Sequence, residues 1–108
     1  MSLNVLPPID DGSSFPVLQV STDRYVIGIR ERFIEWTGAG SSLLTLPDPT
    51  GHFNFYYIFN NGLGSINVEV DNSGTIMGNL STSLPLGYGV YFKSNGLEFM
   101  MLKGSFTL

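Results

Sequence analysis

Leu44-Thr45-Leu46-Pro47-Asp48-Pro49-Thr50-Gly51 is the stretch whose reading decides the fold class. Leu43–Leu46 has the look of a strand. Two prolines then stop it, because proline has no N–H to give to a ladder. The same alternation of apolar run and turn recurs downstream. Phe53–Phe59 ends at Asn60-Asn61-Gly62, and Ser65–Val70 ends at Asp71-Asn72-Ser73-Gly74. Gly74-Thr75-Ile76-Met77-Gly78 is a further break. Tyr88–Lys93 and Leu97–Leu102 flank Asn95-Gly96, a hairpin signal whose two positions favour positive φ. The 13 glycines and 6 prolines punctuate segments rich in Val, Ile, Phe, Tyr and Thr. Short strands at regular spacing predict an all-β chain, either a small antiparallel sandwich or barrel or a β-prism.

Period-two patterning assigns faces to these strands. Ile66, Val68 and Val70 alternate with Ser65, Asn67 and Glu69. Tyr88, Val90 and Phe92 alternate with Gly89, Tyr91 and Lys93. Leu97, Phe99 and Met101 oppose Glu98, Met100 and Leu102. Phe53–Phe59 departs from this rule, with Phe53, Phe55, Tyr57 and Phe59 on one side and Asn54, Tyr56 and Ile58 on the other. A strand apolar on both faces needs cover on both. The second cover is expected from another subunit, so Phe53, Phe55, Tyr56, Tyr57, Ile58 and Phe59 form a candidate subunit interface.

Upstream, Val17–Val20 and Arg24–Trp36 read as the first strands, joined by a turn at Ser21-Thr22-Asp23. The aromatic and β-branched content of the longer segment, with Gly28 inside it, favours strand over helix. On it, Tyr25, Ile27, Ile29 and Phe33 share one side, and Arg24, Arg30 and Arg32 the other. Ile34 and Trp36 fall on the charged side, which predicts a bulge or a second contact near the strand end. Thr37–Ser42 is a connection, and Ser105–Leu108 is a candidate last strand. Residues 1–16 form a distinct N-terminal arm preceding a single β-domain over residues 17–108. Pro7-Pro8 and Asp10-Asp11-Gly12-Ser13-Ser14 suit an extended segment. Two readings stay open for it, an unstructured terminus or a docking arm that orders on a partner. Leu3, Val5, Leu6, Ile9 and Phe15 are more apolar than a solvated tail requires and carry the docking reading.

A chain of 108 residues suffices for one domain with a core. Only 13% of its residues are charged, against ~25% in ordinary soluble domains, while 43% are hydrophobic. Such a surface is expected to associate, or to be covered by uncharged polar groups. A net charge of −4 with 5 basic residues argues against a nucleic-acid partner. The absence of cysteine excludes disulfides and thiolate chemistry. No apolar run approaches the ~18 residues that span a bilayer, so membrane insertion is not expected. Met1-Ser2-Leu3-Asn4 lacks the charged start and apolar core of a signal peptide, so synthesis and assembly in the cytosol of the producing cell are expected.

Reactive constellations are not visible. His52, the single histidine, follows Gly51 in a turn with no cysteine or second histidine to join it. Asp10, Asp11, Asp48, Glu69 and Asp71 lack the dense spacing of a calcium loop, and Asx turns account for most of them. Gly62-Leu63-Gly64 has no basic residue or helix of a phosphate loop behind it. Asn79-Leu80-Ser81 fits a glycosylation triplet without a secretory signal. The expectation is therefore a non-enzyme with no metal and no cofactor. Trp36, Tyr88 and Tyr91, with Tyr56 and Tyr57, are candidate sugar-stacking residues; burial in the core or at a subunit interface is the alternative.

The order of these turns over residues 43–103 resembles a β-module of phage tail fibres and other virion appendages. That module has a Leu-Pro turn with Gly, a Gly-rich turn, a Gly-x-Ile-x-Gly step, a Leu-rich strand and a Ser-x-Gly turn. Leu46-Pro47 and Gly51 match the first turn, and Asn60 with Gly62 the second. Gly74, Ile76 and Gly78 match the step, Leu84, Leu86 and Gly87 the Leu-rich strand and its turn, and Ser94 with Gly96 the Ser-x-Gly turn. Phe99 stands where the module usually has Trp. The resemblance implies a non-enzymatic virion protein, either a short fibre or a tail or head decoration. It implies a homotrimer about a fibre axis, contacts with other virion proteins through the arm, and a place in the virion. A receptor-binding module that takes host-surface glycan is the alternative.

Overall fold

The computed structural model describes residues 16–105. The arm residues Leu3, Val5, Leu6, Ile9 and Phe15, and the last three residues, lie outside this range. The elements are β1 (Val17–Val20), β2 (Arg24–Val26), β3 (Phe33–Trp36), β4 (Ser42–Leu46), β5 (Phe55–Asn60), β6 (Ile66–Val70), a 3-10 turn (Asp71–Ser73), β7 (Ser81–Leu84), β8 (Tyr88–Ser94) and β9 (Phe99–Ser105). They build two sheets, ordered β1-β3-β5-β8-β9 and β2-β4-β6-β7.

The chain is all-β, and both sheets are mixed, which corrects the expectation of an antiparallel sandwich. Successive strands from β1 to β6 alternate between the sheets. Each strand's neighbour within its sheet therefore arrives one full turn of the coil later, running the same way. β1–β3–β5 and β2–β4–β6 are accordingly parallel. Antiparallel pairing begins only where the coil ends, at β6–β7, β5–β8 and β8–β9. Trp36 pairs with Asn60 and Ser42 with Ile66, each 24 positions on, so one turn of the coil stacks on the next. The connections stack as well: Leu63 N–H donates to Gly38 O at 3.0 Å.

The two sheets enclose one core. Val20, Ile34, Trp36, Tyr56, Ile58, Val90, Phe92 and Phe99 enter from the first sheet; Leu44, Leu46, Ile66, Val68, Val70 and Leu84 enter from the second. Ile66, Val68 and Val70 are inward, as their alternation predicts, and Asn67 is exposed. Tyr56, Phe92 and Phe99 make edge-to-face contacts at 5.9 and 6.3 Å within this core.

Arg24–Trp36 is not one strand. It breaks into β2 and β3, which lie in different sheets. The corner between them is organised by Glu31. Its carboxylate accepts Gly28 N–H at 2.6 Å and lies 2.7 and 2.8 Å from the Tyr25 hydroxyl. Arg32 Nη1 donates to Ile29 O and Glu31 O at 2.7 and 3.0 Å and closes the corner. The three arginines therefore form no stripe. No bulge is needed for Ile34 and Trp36, which point inward because β3 belongs to the other sheet. The hairpin at Asn95-Gly96 also differs in detail. Gly96 alone takes a positive φ, at 94°, while Asn95 Oδ1 accepts Leu97 N–H and Glu98 N–H at 3.0 and 2.9 Å. Leu97 thus sits at the turn, 77% exposed, and does not join Phe99 and Met101.

Candidate interaction surface

The outward side of the five-stranded sheet is the chemically distinctive surface. Register carries one row across all five strands: Val17, Phe33, Tyr57, Tyr91 and Leu102. All five are apolar or aromatic. Val17 and Leu102 are 61% and 73% exposed, and the three rings between them are half-buried. The rings touch one another and Phe55, separately from the core aromatics. Phe33 meets Phe55 at 6.1 Å and Tyr57 at 6.5 Å, and Phe55 stacks on Tyr91 at 5.6 Å. Arg32 lies 5.6 Å over the Phe55 ring and 5.2 Å over that of Tyr56, cation–π contacts that place its charge at the end of β5, between the patch and the core. Beside Tyr91, an open groove of about 310 Å³ is lined by Met77, Tyr91, Lys93, Met100, Met101 and Leu102.

The opposite side of the molecule is different. Register there gives Arg24, Leu43, Asn67 and Ser83 in one row, and Val26, Thr45, Glu69 and Ser81 in the next. Polar and small residues dominate, and Thr45 donates to Glu69 at 3.2 Å. Exposed Val26 and half-buried Leu43 interrupt these rows singly, and no aromatic row crosses them. Apolar patches mark interaction sites when they are large and contiguous.

Of the candidate interface residues, Phe55, Tyr57 and Phe59 lie on this face, while Tyr56 and Ile58 are fully buried in the chain's own core. Phe53 precedes β5, is 65% exposed, and accepts a hydrogen bond from Lys93 at its carbonyl. The strand thus keeps strict alternation. Its inner side is completed by the second sheet, and its outer side, Phe55, Tyr57 and Phe59, is half-buried. Among the candidate sugar-stacking residues, Trp36 is 1% exposed and offers no ring face, whereas Tyr88 and Tyr91 are half-buried.

The sites read as chemically silent have structural partners. His52 Nδ1 accepts Asn54 N–H at 3.1 Å, which leaves Nε2 to donate to Asp48 O at 2.6 Å. Both ring nitrogens are used in fixing the turn. Asp48 accepts from Thr50 N–H and Oγ1 at 2.9 and 2.6 Å and from Asn72 at 2.8 Å. These bonds, the Thr50 side chain first, lower its carboxyl to about 2. Among the described residues, no group of three potential metal ligands comes together. On the apolar face, Glu35 accepts from Asn61 and Gln19 at 2.7 and 3.1 Å, which hold its carboxyl below its ordinary range.

Two polar residues matter more than their sequence context suggests. Asn60 is fully buried at the end of β5. Its carboxamide donates to Gly64 O and Leu84 O at 2.8 and 2.9 Å and accepts Gly62 N–H at 3.0 Å. Ser94, 1% exposed, places its hydroxyl 2.7 and 2.8 Å from Pro49 O and His52 O. Each ties separate turns together. The signal that exposes Asn60 is its 24-residue spacing from Trp36, within a shared Gly-x-Gly-Ser pattern at Gly38–Ser41 and Gly62–Ser65.

Comparison with family models, with curated proteins and with solved structures gave no match.

Proposed function

We propose that this chain is a non-enzymatic structural subunit that assembles with copies of itself through the outer face of its five-stranded sheet. One observation carries the reading: the unbroken apolar row from Val17 through Phe33, Tyr57 and Tyr91 to Leu102, set against a polar face on the other sheet. Assembly about an axis along the coil places that row in a shared core, and a trimer of this kind is what the likeness to virion-appendage modules implies. The same likeness supports a phage short fibre or a tail or head decoration, with residues 1–16 as the docking arm.

Sedimentation velocity at micromolar concentration tests the assembly directly. An oligomer is expected for the parent chain, and Tyr57→Lys, which sets a charge mid-row, is expected to weaken it by about tenfold or more. A monomeric parent chain would sink the proposal. Removal of residues 1–16 is expected to spare assembly and abolish attachment to particles; retained attachment would remove the arm from the account. Glycan binding lost on Tyr91→Ala would favour the receptor-binding alternative.

A further inference from the structure

The apolar row has two unlike flanks. On one side, register aligns Gln19, Glu35, Phe59, Gly89 and Gly104 across the five strands. Its only charge is the Glu35 carboxylate, and it ends in two glycines directly opposite one another. On the other side lie Phe55, Lys93 and Met100, also in register. Met77 borders Met100 there, and the Arg32 guanidinium lies over Phe55. This second flank is positive and carries long side chains. The first is negative and carries no side chain at its exposed end, Gly104.

Two residues on these flanks find no explanation among the described residues. Gly104 lies inside β9, is exposed, and has no left-handed φ; a Cβ built on it meets no atom of the described residues within 4 Å. Glycine inside a strand is unfavourable, and its usual reason is the close approach of another backbone or ligand. Met77 is the reverse case. It occupies the first central position of a tight turn, with φ 49°, followed by Gly78 at 87°. Ile76 and Asn79 exchange backbone hydrogen bonds of 2.7 and 2.9 Å across this turn. Both central residues being left-handed makes it the hairpin type that favours Asn-Gly. Met is strained there, yet its side chain is 49% exposed at the mouth of the groove.

We infer that the two flanks are made for one another: the Glu35 and glycine flank of one copy meets the Arg32, Lys93 and methionine flank of a second copy. The inference rests on the self-assembly reading and adds which surfaces touch. The occupant is a second copy because the two flanks are opposite in sign and opposite in relief. The Glu35 carboxylate gains a positive neighbour, and Met77 and Met100 gain the space that Gly104 leaves open. The contact is head-to-tail, so each copy contributes a different flank to each interface.

Sedimentation equilibrium of the full chain and its variants tests this. Glu35→Lys makes both flanks positive and is expected to weaken association by about tenfold or more. Adding Lys93→Glu to that variant sets a carboxylate on the second flank to meet the new lysine and is expected to recover part of the loss. Gly104→Leu is expected to block association while leaving the melting temperature of the dilute chain unchanged or higher. Met77→Asn is expected to raise that melting temperature and still weaken association. Association equal to the parent's in the three single variants overturns the flank pairing and leaves self-assembly standing. A monomeric parent chain overturns both.

Discussion

At Trp36 and Gly62 the fit between two residues decides whether the coil can stack. The indole is enclosed, and a Cβ on Gly62 would lie 2.8 Å from its Cδ1 and Nε1 and 2.4 Å from Gly38 O. A side chain can rotate away from such a clash; the Gly38 carbonyl cannot, because it accepts Leu63 N–H. Gly62→Ala is therefore expected at or above the upper end of the ~1–3 kcal/mol range for overpacking, a fall in melting temperature of about 10 °C or more. Gly40→Ala is the contrast. A Cβ there touches nothing among the described residues within 4 Å and the backbone is not left-handed, so a neutral result or a gain of up to ~1 kcal/mol is expected. Calorimetry on the two variants separates a specific wedge from a general preference for glycine in turns; equal losses would dismiss the wedge. The sequence makes both glycines legible as turn residues. It hides which one is pressed by a neighbouring turn, because the stacked repeat occurs only twice and its outer positions differ. Asn60 shows the same limit, since a buried amide at a strand end has the composition of a turn.

At the scale of the element, the instructive segment is Arg24–Trp36. Its propensities favour strand almost throughout, yet propensity reports fit to a pleated surface and not which surface. The partly buried Glu31 carboxylate gathers Gly28 N–H and the Tyr25 hydroxyl and turns the chain from one sheet to the other. By contrast, Ile66–Val70 was fully legible, because its polar and apolar residues alternate without exception. The aromatic residues of β5 lie between these cases: their alternation is readable, but two apolar faces do not say which is internal. The Glu31 corner has a titration signature. Burial first, then the hydrogen bond and charge of Glu31, raise the Tyr25 hydroxyl from 10.0 to about 12. The folded state thus holds this proton more tightly than the unfolded state does. Its contribution is complete below pH 10 and is lost as pH rises through about 12. The melting temperature is expected to fall over that window, and less steeply in Tyr25→Phe, which has no proton to lose there. An identical alkaline limb in the two proteins would show that the corner does not control it.

At the scale of the whole molecule, a coil whose strands contact only adjacent turns stores its stability as a sum of neighbouring interfaces. Among the described residues, β1 pairs only with β3 over four positions, and β2 only with β4 over three. β5 is paired on both sides, β8 likewise, and β6 lies between β4 and β7. Val20 is the one buried side chain that β1 contributes, and β2 contributes none. Opening of the first turn therefore costs little core and leaves the Trp36–Asn60 stacking intact. Native-state hydrogen exchange is expected to show this as a partial opening. Amides of Val17–Val26 should exchange about a hundredfold or more faster than those of Ile58, Val68 and Val90, which should follow global unfolding. Uniform protection from β1 to β8 would mean that the first turn is bound into one cooperative unit with the rest. The gradient also bears on assembly, because the apolar row starts at Val17 on the weakest strand. A neighbour packed along the whole row would cover that strand, so β1 protection is expected to rise with protein concentration while that of Val68, in the other sheet, stays constant. A concentration-independent β1 would place the contact farther along the row, towards Tyr91 and Leu102.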